Sequence, residues 1–380
     1  MTCLRILVLC HEYPPIGGGA AAVCHALNKQ YARSGHRVCV LTMGYGQLPL
    51  RDRIEGVEIN RVFCGRARRA MASPWEGLQW ARRCAPVARK LHEKDRFSAI
   101  HAHFVMPGGI VATRMGDRFG IPVLMTIHGS DVPGYNHDRL RLIHSVVRPW
   151  WRRICRNSDL ITSPSRSLLE LLQTRTPYCR RGLVIPNGID VGRFQKGRKE
   201  KRILLCSRLV RRKGFHLLLE AVQSLELPGW HIDIVGEGPM FADLAAMAKD
   251  SRVPATLHGW IDNDDPRLAD LYERATIFAL PSQQENCSIA LLGAMSAGCA
   301  IITTNISGNR QLVGDCGVLV QPGELNSLRN TVADLAANPG ECERLGTLAA
   351  TRARQHYDWC VIGQRYLDLL GDLTSNKKAA

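Results

Sequence analysis

Short apolar runs recur along the chain, separated by longer stretches in which apolar positions return at helical spacing. The first run, residues 4–10, predicts a strand. The loop His11-Glu12-Tyr13-Pro14-Pro15-Ile16 and three glycines then lead into an expected helix from Ala20 to Arg33, which Gly35 ends. Arg37 to Thr42 reads as the second strand. Further strands are expected at 57–63, 98–103, 122–127, 159–163 and 182–186, with helices at 75–92, 108–119 and 139–157. The second half repeats the order. Its strands are expected at 202–206, 231–235, 255–257, 276–280 and 300–303, and its helices at 215–224, 239–249, 267–274, 288–297 and 325–337. Such alternation predicts parallel sheets covered by helices on both faces.

Val191 to Lys201 is polar and without periodicity, which marks a linker. The expected organisation is therefore a domain over 1–190, a linker over 191–201, a second domain over 202–355 and a closing helix over 356–374, with Ser375 to Ala380 frayed. Both domains read as doubly wound, Rossmann-like α/β units. Two such domains facing a central cleft would bind ligands beyond the carboxyl ends of their strands.

Composition narrows the class only slightly. With 45% hydrophobic and 22% charged residues the chain is an ordinary globular one, which excludes wholesale disorder. Its 14 cysteines run from Cys3 to Cys360 without a CxxC pair or clustered histidines, so they read as reduced thiols packed as small hydrophobes. The run Ile6 to Leu9 is too short for a signal peptide and meets His11 and Glu12 at once. No stretch is apolar enough to span a membrane, and the reading is cytoplasmic. Charge changes the picture more. Residues 1–190 hold 28 Lys and Arg against 13 Asp and Glu, while the second half is nearly balanced at 22 against 21. A one-sided basic field attracts polyanions: phosphorylated substrates, anionic lipid headgroups or nucleic acid.

The loops expected at strand ends carry the chemistry. Gly17-Gly18-Gly19-Ala20-Ala21-Ala22 fits a dinucleotide-type GxGxxA, but stands too far from the first strand, and the second strand ends at Thr42-Met43-Gly44 without a ribose-binding acid. A glycine loop opening a helix still offers free N–H groups to an anion. Ser207-Arg208-Leu209-Val210-Arg211-Arg212-Lys213-Gly214 follows the second domain's first strand, where Arg208 and Lys213 can converge on a pyrophosphate. Val235-Gly236-Glu237-Gly238-Pro239 is a second glycine turn. Pro281-Ser282-Gln283-Gln284-Glu285-Asn286-Cys287-Ser288 precedes a helix, so Glu285 can accept from sugar hydroxyls or simply favour the helix dipole. The N–H groups of Cys287, Ser288 and Ile289 can bind a phosphate. His128, in Thr126-Ile127-His128-Gly129-Ser130-Asp131, follows a strand of the first domain and would face the cleft.

In this order, the glycine loop, TIHG, IPNGID, SRLVRRKG, VGEGP, LHGW and PSQQENCSIALLGAMSAG resemble the retaining glycosyltransferases of family 4, with the GT-B fold, over nearly the whole chain. The resemblance implies a nucleotide-sugar donor in the second domain, an acceptor in the first, and a last helix crossing back to the first. It implies that Arg208 and Lys213 neutralise the leaving diphosphate without a metal, and that Gly17, Gly18 and Gly19 approach the phosphates. It also implies that His128 contacts the transferred sugar, Leu257 and His258 pack on the base, and Glu285 holds the sugar hydroxyls. Gly236, Cys287, Ser288, Ile289 and Gly293 complete the expected donor site. The leaving phosphate would take the acceptor's proton. No cofactor is expected beyond the donor, a UDP-sugar or GDP-mannose.

Gly293 departs from the family pattern, which has there a second glutamate gripping the ribose. Loss of a charged hydrogen bond costs ~1.5–3 kcal/mol, and a helical glycine about 1 kcal/mol against alanine. Gln311 likewise stands where an acid is common. Two readings follow. One is a hexosyltransferase at the inner face of the cell membrane, acting on a glycan or lipid-linked acceptor in bacterial polysaccharide or lipopolysaccharide synthesis. Its basic half and the segment Arg148-Pro149-Trp150-Trp151-Arg152-Arg153-Ile154-Cys155-Arg156 would meet anionic lipid. The other is a catalytically impaired subunit that binds sugar nucleotide or glycan and supports a partner. Nucleic acid is not expected, since no recognition motif accompanies the charge. Asp262-Asn263-Asp264-Asp265 resembles a metal-chelating triplet, but capping of the helix at Pro266 explains it, and no metal is expected.

Overall fold

The computed structural model describes residues 3–69, 71–135, 141–176, 181–194 and 197–379. The chain forms two compact units, Met1–Pro186 with Trp359–Ala380, and Asn187–Asp358.

The first unit opens with β1 (Arg5–Leu9), α1 (Gly19–Arg33), β2 (Arg37–Met43), β3 (Arg51–Ile54) and β4 (Val57–Val62). It continues through α2 (Pro74–Asp95), β5 (Ala99–His103), α3 (Gly108–Phe119), β6 (Val123–Thr126) and α4 (Arg141–Asn157). β7 (Leu160–Ser163), α5 (Arg166–Arg175) and β8 (Gly182–Val184) complete its sheet. The strand order is β3-β4-β2-β1-β5-β6-β7-β8, and only β3 runs antiparallel to its neighbour. The residues of β1, β5, β6 and β7 are almost all buried because the sheet is covered on both faces. Helix α2 starts where the chemistry dictates. Ser73 and Glu76 form a reciprocal capping box around Pro74, an arrangement worth about 1 kcal/mol.

The second unit contains β9 (Glu200–Cys206), α6 (Phe215–Val222), β10 (His231–Val235), α7 (Phe241–Lys249), β11 (Ala255–Gly259) and α8 (Pro266–Arg274). β12 (Ala275–Leu280), α9 (Ile289–Ser296), β13 (Ala300–Thr304), α10 (Ser307–Val313) and β14 (Gly317–Val320) follow, then α11 (Leu325–Ala337) and α12 (Pro339–His356). Its sheet is wholly parallel in the order β11-β10-β9-β12-β13-β14. The order reverses between β9 and β12, and loops leaving both strands open a crevice at that switch point. In the first unit the reversal lies between β1 and β5. The last helix, α13 (Trp359–Ala379), packs on α1 in the first unit.

Several expectations need correcting. The units divide at Pro186/Asn187, before the expected linker. Asn187 donates to Cys287, and Ile189 N–H donates to the Tyr357 carbonyl at 2.7 Å, so the segment from 187 belongs to the second unit. Glu200 and Lys201, read as linker, already lie in β9. β3 escaped notice because Arg51-Asp52-Arg53 reads as a charged loop; it is an exposed edge strand, where charge is the rule. α5, α10, α12 and β14 were also unforeseen. The expected frayed tail is helical to Ala379, and Lys377 Nζ pairs with the Asp159 carboxylate at 3.1 Å. Residues 139–140 of an expected helix, Gln195 and Lys196 of the expected linker, and Ala380 lie outside the described residues. The described cysteines are free thiols, and most are buried in the two cores. Among the described residues, no helix is long and apolar enough to cross a membrane.

Candidate active site

The second unit's site grows from three loops at strand carboxyl ends. After β9, the chain turns through Arg208 to Lys213, and Gly214 takes a left-handed φ of 74°. A Cβ at Gly214 would stand 2.1 Å from the Pro281 carbonyl oxygen, so the loop after β9 lies directly against the loop after β12. Gln283 N–H donates to the Arg212 carbonyl at 2.8 Å, and Arg212 Nη1 reaches Gln284 Oε1 at 3.5 Å. The turn after β10 closes from the other side. Gly236 has φ 138°, and a Cβ there would meet the Ser207 carbonyl oxygen at 1.9 Å. Leu209 N–H donates to the Glu237 carbonyl at 2.8 Å.

This frame brings Lys213 and Glu285 together in a charged hydrogen bond between Nζ and Oε1. The two side chains are only 11% and 9% exposed, which makes the pair strong in its local field and costly to break. Arg208 lies exposed on the same loop as Lys213. The Glu285 loop rests on α10: a Cβ at Gly308 would stand 2.3 Å and 2.4 Å from the carbonyl oxygens of Glu285 and Asn286. Behind it, buried Asn309 Nδ2 donates to Thr303 Oγ1 at 2.8 Å and Thr304 Oγ1 at 3.1 Å.

Other expected donor residues also make contacts within the fold. Cys287 is buried; its Sγ accepts from Asn187 N–H at 3.1 Å, and burial pushes its thiol up to about 12. The Ser288 hydroxyl accepts from Leu291 N–H at 3.3 Å and caps α9. Ile289 begins that helix, so its N–H and that of Ser288 lie outside the intrahelical ladder. His258 sits near the end of the edge strand β11, donating Nε2–H to Asp233 at 2.8 Å, while Arg202 holds the other Asp233 oxygen at 2.8 Å. Gly293 is buried inside α9, and a Cβ there would stand 3.4 Å from Cζ of both Phe194 and Tyr272. Asp265 caps α8 by accepting from Arg267 N–H at 2.9 Å, as its place before Pro266 predicts.

The first unit presents a polar cluster at its own switch point. Gly17 adopts φ 96° with Glu12 packed against it, whereas Cβ positions at Gly18 and Gly19 meet nothing within 4 Å. Arg66 lies 3.8 Å from the Glu12 carboxylate; burial nevertheless raises the carboxyl's pKa. His128, after β6, bonds through Nε2 to His103 Nδ1 at 3.0 Å. His101, two residues earlier on the same face of β5, bonds to Tyr31 at 3.2 Å and Thr126 at 2.8 Å. Asp131 ties the two loops by accepting from the N–H groups of Val105, His128 and Gly129, each at 3.0 Å. Burial lowers His11, His101 and His128 to about 3. Glu12, Arg66, His101, His103 and Asp131 went unnoticed in the sequence. The alternating His101-Ala102-His103 in an otherwise apolar strand was the available signal.

Residues 17–193 match the family described as Glycosyltransferase Family 4, and residues 190–352 match Glycosyl transferases group 1. The chain belongs to glycosyltransferase family 4. The glycosyltransferase is 27% identical over 384 residues to a glycogen synthase of Mycobacterium tuberculosis, covering 94% of this chain and 92% of that one. It is 26% identical over 391 residues to the GDP-mannose:cellobiosyl-diphosphopolyprenol alpha-mannosyltransferase of Komagataeibacter xylinus, covering 96% and 92%. In fold it resembles the sucrose-phosphate synthase of Thermosynechococcus elongatus, with a TM-score of 0.82 at 20% identity over 98% of this chain and 100% of that one. Two parallel-sheet, Rossmann-like units of this kind are the GT-B fold.

Proposed function

We propose that the glycosyltransferase moves a hexose from a nucleotide-sugar, with retention at the anomeric carbon, to a lipid-linked glycan or glycolipid at the inner membrane surface. The observation that carries this reading is the buried pair of Lys213, on the loop that also bears Arg208, with Glu285, on the loop after β12, at the switch point between β9 and β12. A diphosphate entering there competes with Glu285 for the Lys213 ammonium, and Arg208 supplies a second cation. The freed carboxylate then accepts from sugar hydroxyls. Charge builds on the leaving diphosphate as the bond from the anomeric carbon to its oxygen breaks, and fixed cations stabilise that charge without a metal. The acceptor oxygen bonds to the same carbon from the same face, and its proton passes to the departing phosphate.

The Komagataeibacter relative, whose name gives GDP-mannose and a diphosphopolyprenol-linked acceptor, supports a lipid-linked acceptor in envelope polysaccharide or lipopolysaccharide synthesis. Helix α4 supports a membrane surface. Trp151 is buried and donates to the Asp131 carbonyl at 2.9 Å, while Trp150 is 61% exposed beside exposed Arg148, Arg153 and Arg156.

Calorimetric titration with UDP, GDP and ADP, then with the matching sugar nucleotides, tests the donor site. Micromolar binding of one nucleotide, with transfer unaffected by a chelator and an α-linked product from an α-donor, is expected. Binding of none would leave the impaired-subunit reading, which Gly293 motivates. For the membrane, binding to liposomes should rise with anionic lipid and fall with salt; indifference to both would refute that part alone.

A further inference from the structure

At the amino ends of β1 and β2, away from the first unit's switch-point loops, the sheet is strongly basic. An open groove of about 1180 Å³ there is lined by six cations, Arg5, Arg33, Arg37, Arg51, Arg53 and Lys94. Four carboxylates share the lining, but Asp52 and Glu55 are neutralised from outside it. Asp52 accepts from both terminal nitrogens of Arg61 at 3.2 Å, and Glu55 pairs with Lys29. Only Glu58 and Asp95 are left to balance the six cations. Arg33, Arg37, Arg51, Arg53 and Lys94 form no ion pair or side-chain hydrogen bond among the described residues, and Arg5 donates one N–H to the Asp95 carbonyl at 2.9 Å.

Strand register sets these charges against one another. Arg5 and Arg37 open β1 and β2 and are direct partners across them, so two exposed arginines stand side by side on strands about 4.8 Å apart. Like charges so placed repel. Arg51 and Arg53 share one face of the edge strand β3, which lies two strands from β2, about 10 Å away. Arginine forks match phosphate oxygens bidentately, and two such pairs set apart suit a chain of phosphates. None of the large exposed hydrophobic side chains lines the groove, so it lacks the apolar surface that a bilayer would bury.

We propose that this groove is an anion site separate from the switch-point loops, and that it takes a soluble ligand carrying a di- or triphosphate group. Arg5 and Arg37 meet one phosphate, and Arg51 and Arg53 the next. The assignment is independent of the transferase reading.

The test is calorimetric titration of the full chain with inorganic tripolyphosphate at low ionic strength. The double variant Arg37→Ser with Arg53→Ser should lose one bound equivalent, or hold it at least about tenfold more weakly, the loss expected for charged hydrogen bonds. Both side chains are exposed, so the fold survives their removal. Arg82→Ser with Arg114→Ser takes the same charge from exposed sites outside the groove and should leave that equivalent in place. Arg208→Ala should leave it too, which separates the groove from a diphosphate site in the second unit. A wild type that binds no tripolyphosphate overturns the proposal. Equal weakening by the two double variants also overturns it, because that marks diffuse attraction to a basic surface. Release of the groove's equivalent by phosphatidylglycerol vesicles would overturn the choice of a soluble ligand.

Discussion

Placing a glutamate at residue 293 drives side-chain atoms into a contact that two aromatic rings already fill. Phe194 and Tyr272 are 7% and 3% exposed, their rings meet edge-on at 5.3 Å, and Tyr272 also stacks on Phe278 at 5.9 Å. Gly293→Ala adds only a Cβ at 3.4 Å from both rings. The helix gains about 1 kcal/mol over glycine, and the tight contact takes part of that back. The alanine variant should therefore melt within roughly 2–4 °C of wild type, the shift of about 1 kcal/mol in a domain of this size. Gly293→Glu must find room for one more methylene and a carboxylate. Overpacking of this kind costs about 1–3 kcal/mol, and more if the charge stays buried and unpaired. A double-mutant cycle with Phe194→Ala isolates the cause, because removing the ring opens the space the glutamate needs. Calorimetric melting of the four proteins, each with and without nucleotide, is the assay. The glutamate should be better tolerated in the Phe194→Ala background than beside the intact Phe194 ring by at least about 1 kcal/mol, a coupling typical of residues in contact. A Gly293→Glu protein with the wild-type melting temperature, or strictly additive effects, would refute the packing argument. It would restore the simpler view that the glutamate projects freely toward a ribose.

Three further outcomes follow from the two units. Lys213→Met should destabilise the protein by about 3–5 kcal/mol by stranding the buried Glu285 carboxylate, and adding Glu285→Gln should recover part of that loss in denaturant unfolding. Equal stability of Lys213→Met and wild type would mean that the pair is solvated. Gly236→Ala should disrupt the loop after β10, since the residue sits at φ 138° and its Cβ would collide with the Ser207 carbonyl; nucleotide affinity should fall along with melting temperature, and an unaffected variant would contradict the close approach. Stability should also fall on acidification. His11, His101 and His128 are held near 3 in the fold by burial, and His103 is lowered for the same reason, whereas the unfolded chain protonates histidine near 6.5. Their contribution is therefore complete above about pH 6.5 and lost as pH falls from there toward 3, at ~1.4 kcal/mol per pH unit for each neutral histidine. The raised carboxyls of Glu12 and Asp131 offset part of this. Urea titrations at pH 7 and pH 5 measure the slope, and a flat profile would show that the cluster is hydrated.

How far the site was legible depended on whether a residue's partner lay in a recognisable loop. Lys213 and Glu285 are far apart in sequence, but each follows a strand, and a doubly wound sheet must bring those loops together at its switch point. Their meeting is a consequence of topology that apolar periodicity alone can anticipate. Cys287 and Ser288 stand in the same loop, and there the linear reading reaches only the backbone N–H groups. The side chains are engaged within the fold: Asn187 donates to the cysteine's sulfur and carbonyl, and the helix start claims the serine hydroxyl. Gly293 shows the same limit from the opposite direction. The sequence reveals an absent side chain, but only the direction of its missing Cβ shows Phe194 and Tyr272 in the way.

The first unit carries the point furthest. His101 and His103 look like interruptions in an apolar strand, a pattern that ordinary packing explains as well as any chemistry. Their meaning appears when the register of β5 beside β6 sets His103 against Thr126 and brings the loop beyond it, with His128, within hydrogen-bond reach. Three strands and two helices contribute to one buried chain of polar groups: Tyr31 from α1, His101 from β5, Thr126 from β6, Thr162 from β7 and Tyr366 from α13. A core that needed only volume would place apolar residues there at lower cost. The expense is understandable if the network's task is to hold the strand ends, and with them the imidazole of His128, in one fixed orientation toward whatever enters above them.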